Sequence, residues 1–400
     1  MPASRTLFTW RNIPRSVWAL GLVSLFMDLS SEMIHALLPL YLVTVLGAST
    51  LTVGIIEGIA EATASITKIF SGALSDYLGR RKWLAAFGYG LAAVTKPVFP
   101  LATGIVTITA ARFVDRVGKG IRGAPRDALI ADLTPEGARG SAFGLRQSLD
   151  TVGAVLGPLA AMGFMVLLAD SFQRVLWIAV IPAFISVAVI VFGVREAERP
   201  AQARKVKSPL SRAELARLPA TYWIVVFVTA IFTLARFSEA FLLLRAQAAE
   251  LPLALVPSVM VVMNVIYALS AWPAGVLSDR IGRYRLLTIG FALLIVADVV
   301  LALDRGVALV MLGVALWGLH MGLTQGLLSA MVADTAPAEL RGTAFGVFNL
   351  AGGIALLAAS IIAGALWEVA GPEGTFLTGA AFTAIALIAL PWARRWGRAA

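Results

Sequence analysis

Twelve apolar runs, each long enough to cross a bilayer, constrain this chain more than any other feature of its sequence. A helix needs about 20 residues to span the hydrocarbon core. The runs fall near residues 16–46, 51–78, 82–101, 104–132, 140–169, 172–194, 219–247, 253–278, 284–303, 305–333, 341–369 and 373–393. Backbone groups in lipid must bond within the segment, so such runs are helices and the chain is an all-α membrane protein. Composition settles the alternatives: 59% hydrophobic and 14% charged residues, with a mean hydropathy of +0.85, exclude disorder and a soluble nucleic-acid-binding domain. Without cysteine there is no disulfide scaffold, thiol chemistry or cysteine-based metal site. Arg5, Arg11 and Arg15 precede a first run longer than a signal-peptide core, so it is expected to be a retained span.

One long polar connection, REAERPAQARKVKSPLSRAELARL at 195–218, divides the chain into 1–194 and 219–400, six spans on each side. Of the 33 basic residues, 21 fall on the side that holds both termini and this linker; the opposite loops hold only Arg174 and Arg305. Basic residues mark cytoplasmic loops, so both termini and the linker are expected in the cytoplasm, in a plasma (inner) membrane. The formal charge of +10 is then topology, and its partner is the lipid bilayer rather than nucleic acid.

The two halves repeat. GALSDYLGRRK at 72–82 recurs as GVLSDRIGRYR at 275–285, and ADLTPEGARGSAFG at 131–144 as ADTAPAELRGTAFG at 333–346. Ser31-Glu32 matches Ser238-Glu239. Repeats of this period and sense predict two pseudo-symmetric six-helix bundles in parallel, with a site between them near the membrane midplane.

At these residues the chain resembles the major facilitator superfamily, over essentially all twelve spans. The motif between spans two and three is matched by Gly72, Asp76, Gly79, Arg80, Arg81 and Lys82, and its second copy by Gly275, Asp279, Gly282, Arg283 and Arg285. The resemblance implies a pair of cytoplasmic gates. Asp76 would face the N-terminus of span eleven near Arg341, and Asp279 that of span five near Arg139. A carboxylate at a helix N-terminus gains about 0.3–2 kcal/mol, enough to bias two conformers without locking either. Span four resembles the family pattern in Arg112 and Gly118, with Asp115 and Arg116 in place of a glutamine and a glycine. In span five, Gly153-x-x-x-Gly157-Pro158 resembles the antiporter motif, with Ala161-Met162 where a glycine pair would follow. Small residues four apart also let helices pack closely.

Nineteen charged residues fall inside the spans, ten basic and nine acidic, fifteen of them in the first half. Facing lipid they would cost about 50–65 kcal/mol, so they must pair or line a wet cavity. Arg112, Asp115, Lys119, Arg122 and Arg126 share one face of span four, with Arg116 on its flank. Gly118, Gly120, Gly123 and Pro125 are expected to distort that helix. Asp28, Glu32 and His35 lie on one face of span one, Glu57, Glu61 and Lys68 on one face of span two. Arg146 and Asp150 are a turn apart on span five, Arg236 and Glu239 on span seven; Lys96 stands in span three, Arg245 and Asp298 nearer span ends.

A buried carboxylate beside a movable cation changes its proton affinity with conformation. Asp28 and Glu32 are the expected proton carriers, Arg112 and Arg146 the moving cations. Asn264, Tyr267, His320, Gln325 and Asn349 would supply hydrogen-bonding contacts from the second half. The expectation is a monomeric secondary transporter working by alternating access: proton-coupled export of a drug-like compound or organic anion, with no cofactor beyond the proton gradient. The alternative is export of a divalent metal (nickel or iron type) or its chelate, with Asp28, Glu32 and His35 as candidate ligands. No phosphate-binding loop or nucleophile elbow is present in the sequence, so neither enzyme chemistry nor ATP-driven pumping is expected.

Overall fold

A computed structural model describes residues 13–78, 80–135, 139–195, 215–303, 306–337 and 340–396. Among them all regular structure is helical. The helices are α1 (Arg15–Thr44), α2 (Thr50–Leu78), α3 (Arg81–Thr95), α4 (Ile105–Leu133), α5 (Arg139–Leu167) and α6 (Phe172–Ala188, extended by a π turn at Val189–Gly193). In the second half, α7 is in two segments (Ala220–Ala235 and Ala240–Ala248), followed by α8 (Ser258–Ile281), α9 (Arg283–Ala302) and α10 (Val307–Thr335). The final stretch, Arg341–Trp396, holds α11 (341–370) and α12 (372–396), which meet at Gly371.

Local chemistry sets these boundaries. Pro14, Pro219 and Pro257 stand immediately before α1, α7 and α8, where a missing N–H costs nothing. Gly282 joins α8 to α9 at φ 88°, a conformation that favours glycine, and Gly371 does the same at φ 67°. Thr375 donates its hydroxyl to the Ala363 carbonyl at 3.0 Å, tying α12 back onto α11.

Nine stretches among the described residues are long and apolar enough to cross a membrane. The ninth, Thr343–Pro391, contains both α11 and α12. The 29-residue α2 and α4 are not among the nine; these are the helices that carry most of the intramembrane charge.

Within the first half α1 packs on α5 and α6, and α4 on α2 and α3; within the second, α8 and α9 pack on α10, and α7 on the final stretch. Glycines permit the closest approaches. A Cβ on Gly118 would lie 2.7 Å from the Gly88 carbonyl oxygen and 2.9 Å from the Ala92 nitrogen, and Gly318 is similarly pressed on Met263 of α8. Here the expectation for span four is corrected: α4 runs unbroken through Gly118, Gly120, Gly123 and Pro125. Two of those glycines are contact points rather than kinks, Gly118 against α3 and Gly120 against Thr67 of α2.

The halves meet at one end. Gly54 and Gly58 of α2 lie against Ser360 and Leu357 of α11, Thr50 donates to the Gly364 carbonyl at 3.3 Å, and the Leu51 N–H donates to Glu368 at 3.0 Å. Asn264 of α8 donates to the Ala154 carbonyl of α5 at 3.2 Å. The main hydrophobic core joins the second half to this end of the first. A second core, around Val17, Tyr89, Leu129, Leu145 and Ile190, belongs to the first half alone and lies at the opposite end. The described hydrogen bonds from α2 to α11 thus join the bundles at the end of the α1–α2 loop.

Candidate functional site

The seam between the bundles is charged because four helices turn their ionisable faces into it. Two cavities of about 270 Å³ each lie along it. The deeper is lined by Glu32, His35, Glu61, Arg116 and Lys119 from the first half and by Arg236, Phe237, Ser238, Glu239, Trp317 and Gln325 from the second. The other takes Asp28, Glu61, Lys68, Lys119, Arg122, Arg126, Asp150 and Asn349. Glu61 and Lys119 line both.

A break in α7 builds one wall of the deeper cavity. The helix stops at Ala235 and resumes at Ala240, with Arg236 at φ −104°, ψ 62°. Ser238 receives the Ala240 N–H on its hydroxyl at 3.2 Å, and its own N–H donates to the Ser360 hydroxyl at 3.2 Å, so side chains satisfy backbone groups that the helix no longer serves. Unwound backbone inside a membrane bundle is tolerated where protein or a wet cavity covers it. Its repeat counterpart, Ser31-Glu32, sits in the unbroken α1.

Ion pairs absorb most of the charge. Arg112 is bonded to Glu57 at 2.7 Å, and both are essentially inaccessible, at 1% and 0%. Lys96 holds Asp115 at 2.9 Å and donates to the Ser31 hydroxyl at 3.0 Å. Arg116 meets Glu61 at 3.1 Å, Arg122 meets Asp28 at 3.8 Å, Arg126 meets Asp127 at 3.1 Å, and Arg146 holds Asp150 one turn away. His35 lies between two carboxylates, Nδ1 at 3.4 Å from Glu32 and Nε2 at 3.6 Å from Glu57. A chain of contacts thus runs from the cavity wall at Glu32 through His35 and Glu57 to the buried Arg112.

Three cavity-lining groups have no ion pair or side-chain hydrogen bond among the described residues: Lys119, Arg236 and Glu239; Lys68, at the second cavity, is a fourth. The Arg236 Nε is buried without an acceptor among those residues. In the second half Arg245 donates to the Leu301 and Leu303 carbonyls, and Asp298 is fully buried with neither oxygen hydrogen-bonded to a described residue.

The structure brings most of the sequence-derived candidates together and separates others. Asp28, Glu32, His35, Glu61, Arg116, Lys119, Arg122, Asp150, Arg236, Glu239 and Gln325 line one or other cavity. Glu57, Arg112, Asp115 and Arg146 stand behind the walls, each in an ion pair. His320 is not in the described lining of either cavity: it is buried at 0% beside Phe232 and Trp317, with both ring nitrogens unbonded among the described residues. Gln325 does face the cavity and accepts from the Tyr267 hydroxyl at 3.1 Å. Among the described residues no three His, Asp or Glu side chains gather as a set that could hold a metal ion.

The duplicated loops are partly outside the described residues: Gly79, and the side chains of Asp76, Asp279 and Arg341, are not described. What is described works within each half. Arg81 pairs with Asp132 at 3.1 Å and Arg283 pairs with Asp334, so both repeats clamp the start of the third helix to the end of the fourth. Lys82 donates to the Val191 carbonyl at 2.8 Å in the π turn of α6. Arg80 stands on the same loop and Gly72 in the last turns of α2, with Gly275 as its repeat counterpart in α8, and Arg139 donates to the Ala131 carbonyl at 3.3 Å. The G-x-x-x-G of α5 is a packing face: a Cβ on Gly153 would lie 2.8 Å from the Leu25 carbonyl oxygen, and one on Gly157 would lie 2.6 Å from the Glu32 Cβ.

Comparison with known proteins agrees with this architecture. The sequence model of the Major Facilitator Superfamily matches residues 20–264 and 240–398. An uncharacterised MFS-type transporter of Methanocaldococcus jannaschii is 34% identical over 385 residues, covering 94% of each chain. An uncharacterised protein of Mycobacterium tuberculosis is 30% identical over 361 residues, covering 89% of this chain and 87% of its own. Among solved structures, the nucleoside transporter NupG superposes with a TM-score of 0.78 over 95% of this chain and 99% of its own, at 14% identity, a likeness of fold.

Proposed function

This chain belongs to the major facilitator superfamily of transporters, and from that premise we propose that it is a secondary active exporter driven by protons. It carries a small molecule, drug-like or anionic, through the seam between the bundles by alternating access. One observation carries this: a cavity lined by ionisable side chains from both halves, with the bundles joined beside it by α2–α11 and α5–α8 contacts. With the termini in the cytoplasm, as the basic loops suggest, the joined end of the α1–α2 loop is the extracellular one.

Asp28 and Glu32 are the proton carriers in this scheme. Each lies on the cavity wall beside a basic group that can be exchanged, Arg122 for Asp28 and His35, when protonated, for Glu32. Protonation releases the cation, and re-forming the pair expels the proton, so proton occupancy and cavity geometry bias one another. A transport screen in a deletion strain, comparing drugs, organic anions and divalent metals, names a substrate. Flux of that substrate in inverted vesicles under an imposed pH gradient then tests the coupling. Glu32→Gln and Asp28→Asn are expected to retain exchange and lose acceleration by the gradient; full coupling in both would overturn the assignment.

A further inference from the structure

We infer that the deeper cavity holds a small oxyanion, a carboxylate or phosphate group, clamped between Lys119 of α4 and Arg236 of α7, a substrate class that rests on the transport reading above. The inference comes from which charges are left over. Around the cavity Arg116 is committed to Glu61, Arg122 to Asp28, and His35 lies between Glu32 and Glu57. Lys119 and Arg236 have no such partner among the described residues, and they project from opposite bundles into one space. Glu239, three residues after Arg236, and Glu32, whose partner His35 is a cation only when protonated, are the carboxylates of the described lining with no lysine or arginine paired to them. An oxyanion would give both cations an acceptor supplied by the ligand.

Geometry fits the chemistry. A guanidinium offers a planar fork of donors that matches a carboxylate or phosphate, and an ammonium acts as a compact point charge beside it. Arg236 stands where α7 is unwound, so its backbone is outside the helical ladder. Its buried Nε without an acceptor is a donor awaiting one. The route in is positive as well: Lys68, exposed and without a described partner, lines the second cavity, and Lys119 lines both. Because the cations belong to different bundles, an anion between them interacts differently in each state of the seam, which a ligand must do to shift a conformational equilibrium.

Thermal unfolding of the purified full chain in detergent tests this, at constant ionic strength because exposed charges are screened. The probes are succinate and inorganic phosphate, with succinamide as the neutral isostere of succinate and putrescine as the dication. Saturable protection by succinate or phosphate is expected, with half-saturation weakened about tenfold or more in Lys119→Ala and in Arg236→Ala. Lys119→Arg is expected to restore most of the affinity. Should an alanine variant fail to fold, Lys119→Gln and Arg236→Gln keep the side-chain bulk and are read in its place. Protection as strong by succinamide or putrescine, unchanged half-saturation in the folded variants, or no protection by either anion overturns the inference. Binding is read without membrane or gradient, so its failure leaves the transport reading standing. Saturable binding without proton-driven flux in proteoliposomes sinks that reading alone.

Discussion

At the scale of single residues, the decisive distinction is between charges that are paired and charges that are not. Helical periodicity puts Arg112, Asp115, Lys119 and Arg122 on one face of α4, but it does not say what each one meets. In the fold the stripe is divided among three neighbours. Arg112 goes to Glu57 on α2, Asp115 to Lys96 at the end of α3, and Arg122 to Asp28 on α1, leaving Lys119 in the open. Pairing in a membrane interior depends on which helices are adjacent, and one chain's sequence does not encode that locally. The pair Arg112–Glu57 gives the sharpest consequence, because removing one partner strands the other charge out of water. Arg112→Ala is expected to cost about 3–5 kcal/mol, whereas Arg112→Met with Glu57→Met together recovers much of the loss. Melting of the single and double variants in detergent checks this. A double variant no more stable than the single would show that the pair acts through packing instead.

At the scale of elements, the apolar runs made most helices legible, since length and hydropathy alone require a span. The charged α2 and α4 were legible by the same run length, although they are not among the nine stretches long and apolar enough to cross a membrane. The break in α7 was not legible. Helix interruptions are usually announced by glycine or proline, and the segment Arg236–Phe237–Ser238–Glu239 has neither. The unwound backbone is satisfied instead by the hydroxyls of Ser238 and Ser360, the second of them 122 positions away in sequence. The glycines of α5 show the converse, a pattern whose meaning was open until neighbours were known. Gly157 is pressed on α1 beside Glu32, whereas Gly163, further along the same helix, has nothing within 4 Å of where a Cβ would stand. Gly157→Ala is expected to lower stability by about 1–3 kcal/mol and to slow transport by displacing Glu32. Gly163→Ala is expected to leave both unchanged. Equal effects from the two substitutions would mean that α5 answers to helix propensity rather than to its contact with α1.

At the scale of the whole molecule, the two-bundle architecture follows from the repeat, but which end of the seam is closed does not, because both states satisfy the same sequence. The structure has the chain joined at the α1–α2 end, where Leu51 and Glu368 are in contact across the seam, with Lys68 and Asn349 from the two halves lining the second cavity. A transporter must exchange these two arrangements, and the absence of cysteine lets thiols be introduced anywhere without background. Leu51→Cys with Glu368→Cys, bridged by a short bis-methanethiosulfonate, is expected to hold the seam as observed and to stop transport until a reductant is added. In a separate protein without the bridge, whose reagent would cap the thiol, Lys68→Cys should be open to a membrane-impermeant maleimide in inverted vesicles and protected in right-side-out ones. The sidedness of that label decides between orientations, since the closed end is extracellular only if the basic loops face the cytoplasm. Transport that survives the bridge would mean that contact at this end persists through the cycle, and alternating access would then have to come from motion within a bundle rather than between the two.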